Sequence, residues 1–95
     1  MPSISWTLPA LEDLRAIDRW LERNRTPRYA AMTIASIRYR AKFLEDFPHG
    51  GRPHHDGIRI LRVIETPYLI RYRIVADVVQ VLRVHHERED WSIEP

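Results

Sequence analysis

The residues best suited to chemistry are basic side chains in a segment that predicts three consecutive strands, Gly57 to Val84. In its middle strand, tyrosine and isoleucine alternate with other residues from Tyr68 to Ile74, and this period of two predicts a half-buried strand. Its other face then carries arginines. The basic residues expected on that face of the sheet are Arg62, Arg71, Arg73, Arg83 and His85. Because guanidinium groups bind carboxylates and phosphates in pairs of hydrogen bonds, acidic proteins and nucleic acid are both expected as partners.

Three of these residues, Arg71, Arg83 and His85, also permit a catalytic interpretation. A histidine that titrates near neutral pH can accept the proton of a ribose 2′-hydroxyl while arginines stabilise the phosphorane. Only one of His85 and His86 can join the arginines, since neighbours in a strand point to opposite faces. The favoured alternative is that His86 packs or caps and that His85 is solvated, because a complete nuclease set is not evident.

The sequence predicts neither a metal site nor a cofactor. His49, His54 and His55 lie in a loop rich in glycine and proline, without carboxylates at the spacing of a helical zinc motif. There is no cysteine, which excludes disulfides, thiolate metal sites and a cysteine nucleophile. No lysine or helix follows Gly50-Gly51, so this pair is not a phosphate-binding loop.

Length and composition indicate one small domain spanning residues 1–95. Lysine and arginine number 15 against 13 acidic residues, a net charge of +2, and Lys42 is the only lysine. The chain is therefore no simple polycation, but its basic groups are nearly all arginine. It shows neither an apolar run of membrane-spanning length nor a signal peptide, so we expect a cytoplasmic protein.

Two helices are predicted to position the sheet. The first runs from about Pro9 to Asn24 behind an N-cap at Thr7, and the second begins at Thr26-Pro27 and ends before Pro48. Their apolar stripes consist of Ala10, Leu14, Ile17 and Leu21, and of Ala30, Ile34, Ile37, Ala41 and Leu44. With a short strand at 3–6, the order is β-α-α-β-β-β. We therefore expect a two-layer α+β domain, mainly antiparallel, with an αα-hairpin covering one sheet face.

Some apolar residues exceed what one helix-covered sheet face is expected to hold. They are Leu61, Val63, Leu69, Val79 and Val81 in the strands, with Ala31 and Met32 beside the stripe of the second helix. Leftover apolar surface on a small domain indicates a protein partner.

An ordered series of motifs runs along the chain: Trp6, Asp13-Leu14, Gly51-Arg52, Gly57-x-Arg59, Tyr68-x-Ile70-x-Tyr72, Leu82-x-Val84-x-His86 and Arg88 through Trp91. This series resembles the ParE/RelE superfamily of toxins from type II toxin–antitoxin pairs. The spacing around Tyr68 and the ending at Trp91 look more like the ParE branch. The tyrosine or lysine cluster typical of the RelE-like nucleases is missing, since no tyrosine follows Tyr72.

The resemblance implies a two-layer toxin fold and a protein that inhibits DNA gyrase without a catalytic residue. Its neutralising partner would be a ParD-like antitoxin with a disordered, acidic and amphipathic C-terminal segment. The target would be contacted by Arg88, by Trp91 and by the basic sheet face of Arg62, Arg71, Arg73, Arg83 and His85, which we call the arginine face. The surplus apolar residues would contact the antitoxin. Two alternatives stay open: a RelE-like ribosome-dependent mRNA endoribonuclease using Arg71, Arg83 and His85, and a toxin fold that only binds its partner.

Overall fold

The computed structural model describes residues 2–88, which form two helices and a five-stranded sheet. In chain order the elements are β1 (Ser3–Trp6), α1 (Leu8–Asn24), α2 (Pro27–Lys42), a 3₁₀ turn (Phe43–Glu45), β2 (Arg52–Pro53), β3 (Ile58–Arg62), β4 (Tyr68–Val75) and β5 (Val78–His86). The predicted α+β class is confirmed. Both helices begin, and α1 ends, within one residue of the predicted positions. The end of α2 differs, because α2 stops at Lys42 and a 3₁₀ turn follows it before Pro48. Trp91 lies outside the described residues.

Both helices begin at the threonines that the sequence indicates. The hydroxyl oxygen of Thr7 accepts a hydrogen bond from the Ala10 amide at 3.3 Å, and that of Thr26 accepts one from the Tyr29 amide at 3.0 Å. Each cap satisfies one of the amides that the first turn of a helix leaves without a partner. A proline in each first turn adds no further unsatisfied amide.

The strand order in the sheet is β1-β5-β4-β3-β2, with β1 parallel to β5 and every other pair antiparallel. The predicted loop rich in glycine and proline, which contains His49, His54 and His55, also contains a short strand, β2. Arg52 pairs with Ile60 and Pro53 with Arg59, in a two-residue strand on the sheet edge. Proline is tolerated there because the outer side of an edge strand needs no amide donor.

The core lies between the αα-hairpin and one face of the sheet, as predicted. It joins Leu14, Ile37 and Leu44 from the helical layer to Ile70 and Tyr72 from β4. The same cluster contains four residues expected to be surplus surface, which are Leu61, Val63, Val79 and Val81. That expectation is wrong. β3 and β5 flank β4, so the sheet presents a core face three strands wide to the helices.

A two-residue turn, Ala76-Asp77, joins β4 to β5 and contains a strained alanine. The φ angles are 49° at Ala76 and 64° at Asp77, the left-handed conformation that two-residue hairpins use at both positions. Aspartate and asparagine tolerate this region, whereas alanine does so at a cost of about 1–2 kcal/mol.

Ala76→Asn is therefore expected to raise the free energy of unfolding by about 0.5–1 kcal/mol. The matched control is Ala35→Asn on the exposed side of α2, where asparagine is a poorer helix former and stability should fall by about 0.5 kcal/mol. Urea midpoints would measure both variants. A lower midpoint for Ala76→Asn would contradict the assignment of the turn.

Candidate partner-binding surfaces

The predicted basic residues of the three strands do share one sheet face, opposite the core. Arg71 lies directly across from Arg83, and Leu69 lies across from both Arg62 and His85. A β-bulge after Arg71 shifts the register of β4 against β5. A bulge of this kind bends the strand locally. The predicted placement of the five basic residues on one face is therefore confirmed by the pairing.

This face is not the open cationic surface that the sequence suggests. Arg71 and His85 are each only 2% exposed, and Leu69 is buried beside them. Burial of a guanidinium demands compensating contacts, because a charge removed from water loses its hydration. Arg62 and Arg73 remain exposed. The expectations that Arg71 and His85 offer target-binding surface, and that Leu69 offers antitoxin-binding surface, are thus at odds with their burial.

His54 lies within the electrostatic influence of Arg71. The pKa of His54 is lowered first by burial, and then by the positive fields of His55, Arg71 and Arg52. Each effect favours the neutral form of the His54 imidazole over the protonated form.

Arg83 is held by an ion pair that the sequence did not indicate. Its Nε and Nη2 donate to the two carboxylate oxygens of Asp13 in α1, at 2.8 and 3.0 Å. The Val84 amide donates to the same carboxylate at 2.9 Å. Because β1 ends at Trp6, Asp13 satisfies the outer edge of β5 where no strand covers it.

The three residues of the catalytic interpretation are consequently aligned but enclosed. Arg71 and His85 are buried, and the guanidinium of Arg83 binds Asp13. Within residues 2–88, no cluster of three or more histidine or acidic side chains could hold a metal ion.

The exposed arginines at the margin of this face have neighbours but keep access to solvent. Nε of Arg73 donates to the side-chain oxygen of Gln80 at 2.7 Å, and Arg62 lies 3.7 Å from the Glu87 carboxylate. Arg88, another predicted target contact, is exposed at the end of the described chain. Among residues 2–88, Arg62, Arg73 and Arg88 are the predicted target-binding residues that are exposed to a large partner.

Tyr72 fixes the loop that leads into β2. Its buried hydroxyl donates to the Pro48 carbonyl and accepts from the Gly51 amide, both at 2.8 Å. Burial raises the pKa of Tyr72, so the phenol stays protonated and able to donate. A Cβ on Gly51 would lie 2.7 Å from the Tyr72 ring, so only glycine permits this contact.

A groove of about 440 Å³ runs along the C-terminal half of α2 and the turn between β3 and β4. Val63 and Phe43 supply apolar lining, and Phe43 stacks on Phe47 with ring centroids 4.9 Å apart. Tyr39 is 79% exposed and Ile64 is 64% exposed, one on each side. We call this the α2 groove; its lining residues are Ser36, Tyr39, Arg40, Lys42, Phe43, Glu45, Asp46, Val63, Ile64 and Glu65.

Arg40 closes the sheet edge beside the α2 groove. Its Nε donates to the Arg62 carbonyl at 2.7 Å, and its guanidinium lies 4.7 Å from the centroid of the Phe43 ring. An incoming strand would have to displace this side chain. The groove is therefore better suited to a helix than to an added strand.

The predicted antitoxin contacts on α2 agree only partly with the α2 groove. Met32 is 59% exposed and continues the groove side of α2, one turn before Ser36. Ala31 is exposed but lies about 100° further around the helix. Sequence reasoning missed Tyr39 and Ile64, although each is a large apolar residue outside any predicted stripe.

No helix among the described residues has the length and apolar content needed to cross a bilayer. A model of the family described as the ParE toxin of the type II toxin–antitoxin system parDE matches residues 4–91.

Proteins that are similar over most of this chain include two relatives and a solved structure. Y4kP of Sinorhizobium fredii, whose toxin name is provisional, is 37% identical and covers 93% of this chain and 91% of its own length. Toxin RelE2 of Caulobacter vibrioides is 31% identical, covering 90% of this chain and 96% of its own. A solved chain of the chromosomal ParDE system from P. aeruginosa superimposes with a TM-score of 0.85 at 28% identity, covering 90% and 96% of the two chains.

Proposed function

Because the chain belongs to the ParE toxin family of type II toxin–antitoxin systems, we propose that it inhibits DNA gyrase in the cytoplasm and is neutralised by a ParD-like antitoxin. The observation that carries the choice of mechanism is the state of the three residues that a nuclease would use. Arg71 and His85 are buried, and Arg83 binds Asp13. Side chains that are buried or held in an ion pair in this way are poorly placed to contact a scissile phosphate, so we favour binding over cleavage.

The target contact in this proposal lies at the margin of the arginine face. Arg62, Arg73 and Arg88 are exposed there. Guanidinium groups at a rim speed association with an acidic surface more than they tighten the final complex. Trp91 is proposed as a fourth contact, because tryptophan is enriched among the residues that dominate binding energy.

The antitoxin contact is assigned to the α2 groove. An amphipathic helix can place its apolar side between Tyr39 and Ile64 and its acidic side toward Arg40 and Lys42. Glu45, Asp46 and Glu65 also line the groove, and the Glu45 carboxylate lies 3.5 Å from Nζ of Lys42. Acidic residues of the bound helix beside these carboxylates would be repelled. The groove therefore restricts where the acidic residues of the bound helix can lie.

A RelE-like endoribonuclease is the second candidate. It is favoured by the shared face of Arg71, Arg83 and His85, and the relative from Caulobacter carries a RelE name. In this case the face would have to open on the ribosome before these side chains could reach a message.

Induced expression without the antitoxin tests the choice. We expect growth arrest, induction of the DNA damage response and loss of gyrase supercoiling activity in extracts, because the target is proposed to be gyrase. Adding purified chain to gyrase in vitro should inhibit supercoiling directly. Cleavage of messages at fixed codon positions, with supercoiling unaffected, would instead establish the RelE-like activity. Normal growth at a verified level of folded protein would indicate a fold that only binds its partner.

A further inference from the structure

Four arginines surround the tip of the αα-hairpin, far along the chain from the arginine face. Arg19 and Arg23 lie one turn apart on the exposed side of α1, Arg25 lies in the connection, and Arg28 lies in the first turn of α2. Residues 19–29 contain these four arginines and one acidic residue, Glu22, a local net charge of +3 against +2 for the whole chain. We call these four arginines, with Trp20 and Tyr29, the hairpin-tip patch.

The charges of this patch are not neutralised by the fold. Within residues 2–88, none of its four arginines forms an ion pair, whereas Arg62 and Arg83 both do. Arg19 and Arg23 are also four residues apart in one helix, a spacing at which like charges repel by a few tenths of a kcal/mol. The repulsion between these two charges slightly lowers the stability of the isolated domain.

Helix electrostatics explain only part of the patch. Cations near the C-terminal end of α1 are favoured by the helix dipole, which accounts for Arg23 and Arg25. Arg28 lies in the first turn of α2, where the dipole disfavours a cation and no acidic residue is present. Arg19 lies more than a turn before the end of α1, beyond the range of the effect.

Two aromatic side chains flank the arginines. Trp20 and Tyr29 are each about half exposed, and the Arg25 guanidinium lies 5.7 Å from the centroid of the Tyr29 ring. Exposed aromatic rings beside arginines are the combination with which proteins bind unstacked bases and the backbone that joins them. An amphipathic protein helix would need an apolar groove, and the α2 groove lies toward the other end of α2.

We propose that the hairpin-tip patch binds single-stranded nucleic acid, with the arginines contacting phosphates and Trp20 and Tyr29 stacking on bases. The order of the helices places both kinds of group within two turns of the same loop. Such binding would be independent of sequence, because stacking and phosphate contacts carry little base information. Such binding would hold the toxin near nucleic acid whether its target is DNA gyrase or a message on the ribosome.

The test is fluorescence anisotropy of the purified full chain with a labelled single-stranded oligonucleotide of mixed sequence. Four phosphate contacts predict a slope near −3 in a plot of log affinity against log salt, and an affinity loss of roughly 50-fold between about 50 and about 200 mM salt. The double variant Arg19→Gln/Arg23→Gln should reduce the slope by about half. Trp20→Ala should weaken binding roughly tenfold, through lost stacking, with the salt slope unchanged.

The matched control is Arg38→Gln/Arg52→Gln, which removes the same charge from exposed positions outside the patch. It should leave the slope nearly unchanged. Equal losses in the two double variants would mean attraction to net charge alone and would overturn the proposal. So would tighter binding of polyglutamate, of a duplex of equal length or of anionic phospholipid vesicles, each measured in the same buffer.

Discussion

Leu44→Ala is expected to lower the free energy of unfolding by about 2–5 kcal/mol, enough to remove much of the stability of so small a domain. Leu44 is fully buried in the 3₁₀ turn that follows α2. It packs in the cluster that joins the helical layer to the sheet, between elements that cannot easily move together. Truncation would therefore leave a cavity as well as lose the transfer energy of the side chain.

The control for this variant is Leu8→Ala, the same change at a residue that is largely exposed at the start of α1. Its free energy of unfolding should change by less than about 0.5 kcal/mol. Guanidinium denaturation followed by circular dichroism would compare the two variants. Equal midpoint shifts would contradict the placement of Leu44 between the two layers.

Local patterns predicted the elements of this fold because each depends on neighbouring residues. Thr7 and Thr26 cap helices with their own hydroxyls, and the alternation from Tyr68 onward sets the faces of β4. β2 was missed because two residues are too few for a periodic pattern, and its pairing depends on β3.

The surfaces were harder to predict because they depend on what the fold brings together. Asp13 and Arg83 are 70 residues apart, and nothing in either local sequence indicates their ion pair. Alternation correctly placed Leu69 with the arginines, but it could not indicate that this side of β4 is buried as well. Truncating Leu69 should therefore lower the free energy of unfolding more than truncating a residue on an open face would, although Leu69 lies outside the main core cluster.

Tyr39→Ala is expected to weaken antitoxin binding by about 2 kcal/mol or more, roughly 30-fold, without destabilising the toxin. The tyrosine ring is largely exposed in the free chain, so its removal leaves no cavity. In the proposed complex it becomes buried against the antitoxin helix in the α2 groove. Ile64→Asp should weaken binding further, because it places a carboxylate in the apolar part of the groove beside Glu65.

Binding of the proposed ParD-like antitoxin would be measured by stopped-flow mixing, with Trp20→Ala as the control. Like Tyr39, Trp20 is an exposed aromatic residue, but it lies on α1 and outside the α2 groove. The Tyr39 and Ile64 variants should mainly accelerate dissociation, because lost apolar burial acts once the complex has formed. Higher salt should mainly slow association, since Arg40 and Lys42 attract an acidic segment through solvent.

If Trp20→Ala weakened binding while Tyr39→Ala did not, the antitoxin would contact α1 and the assignment of the α2 groove would be wrong. An association rate that does not change with salt concentration would show that Arg40 and Lys42 take no part in attracting the antitoxin.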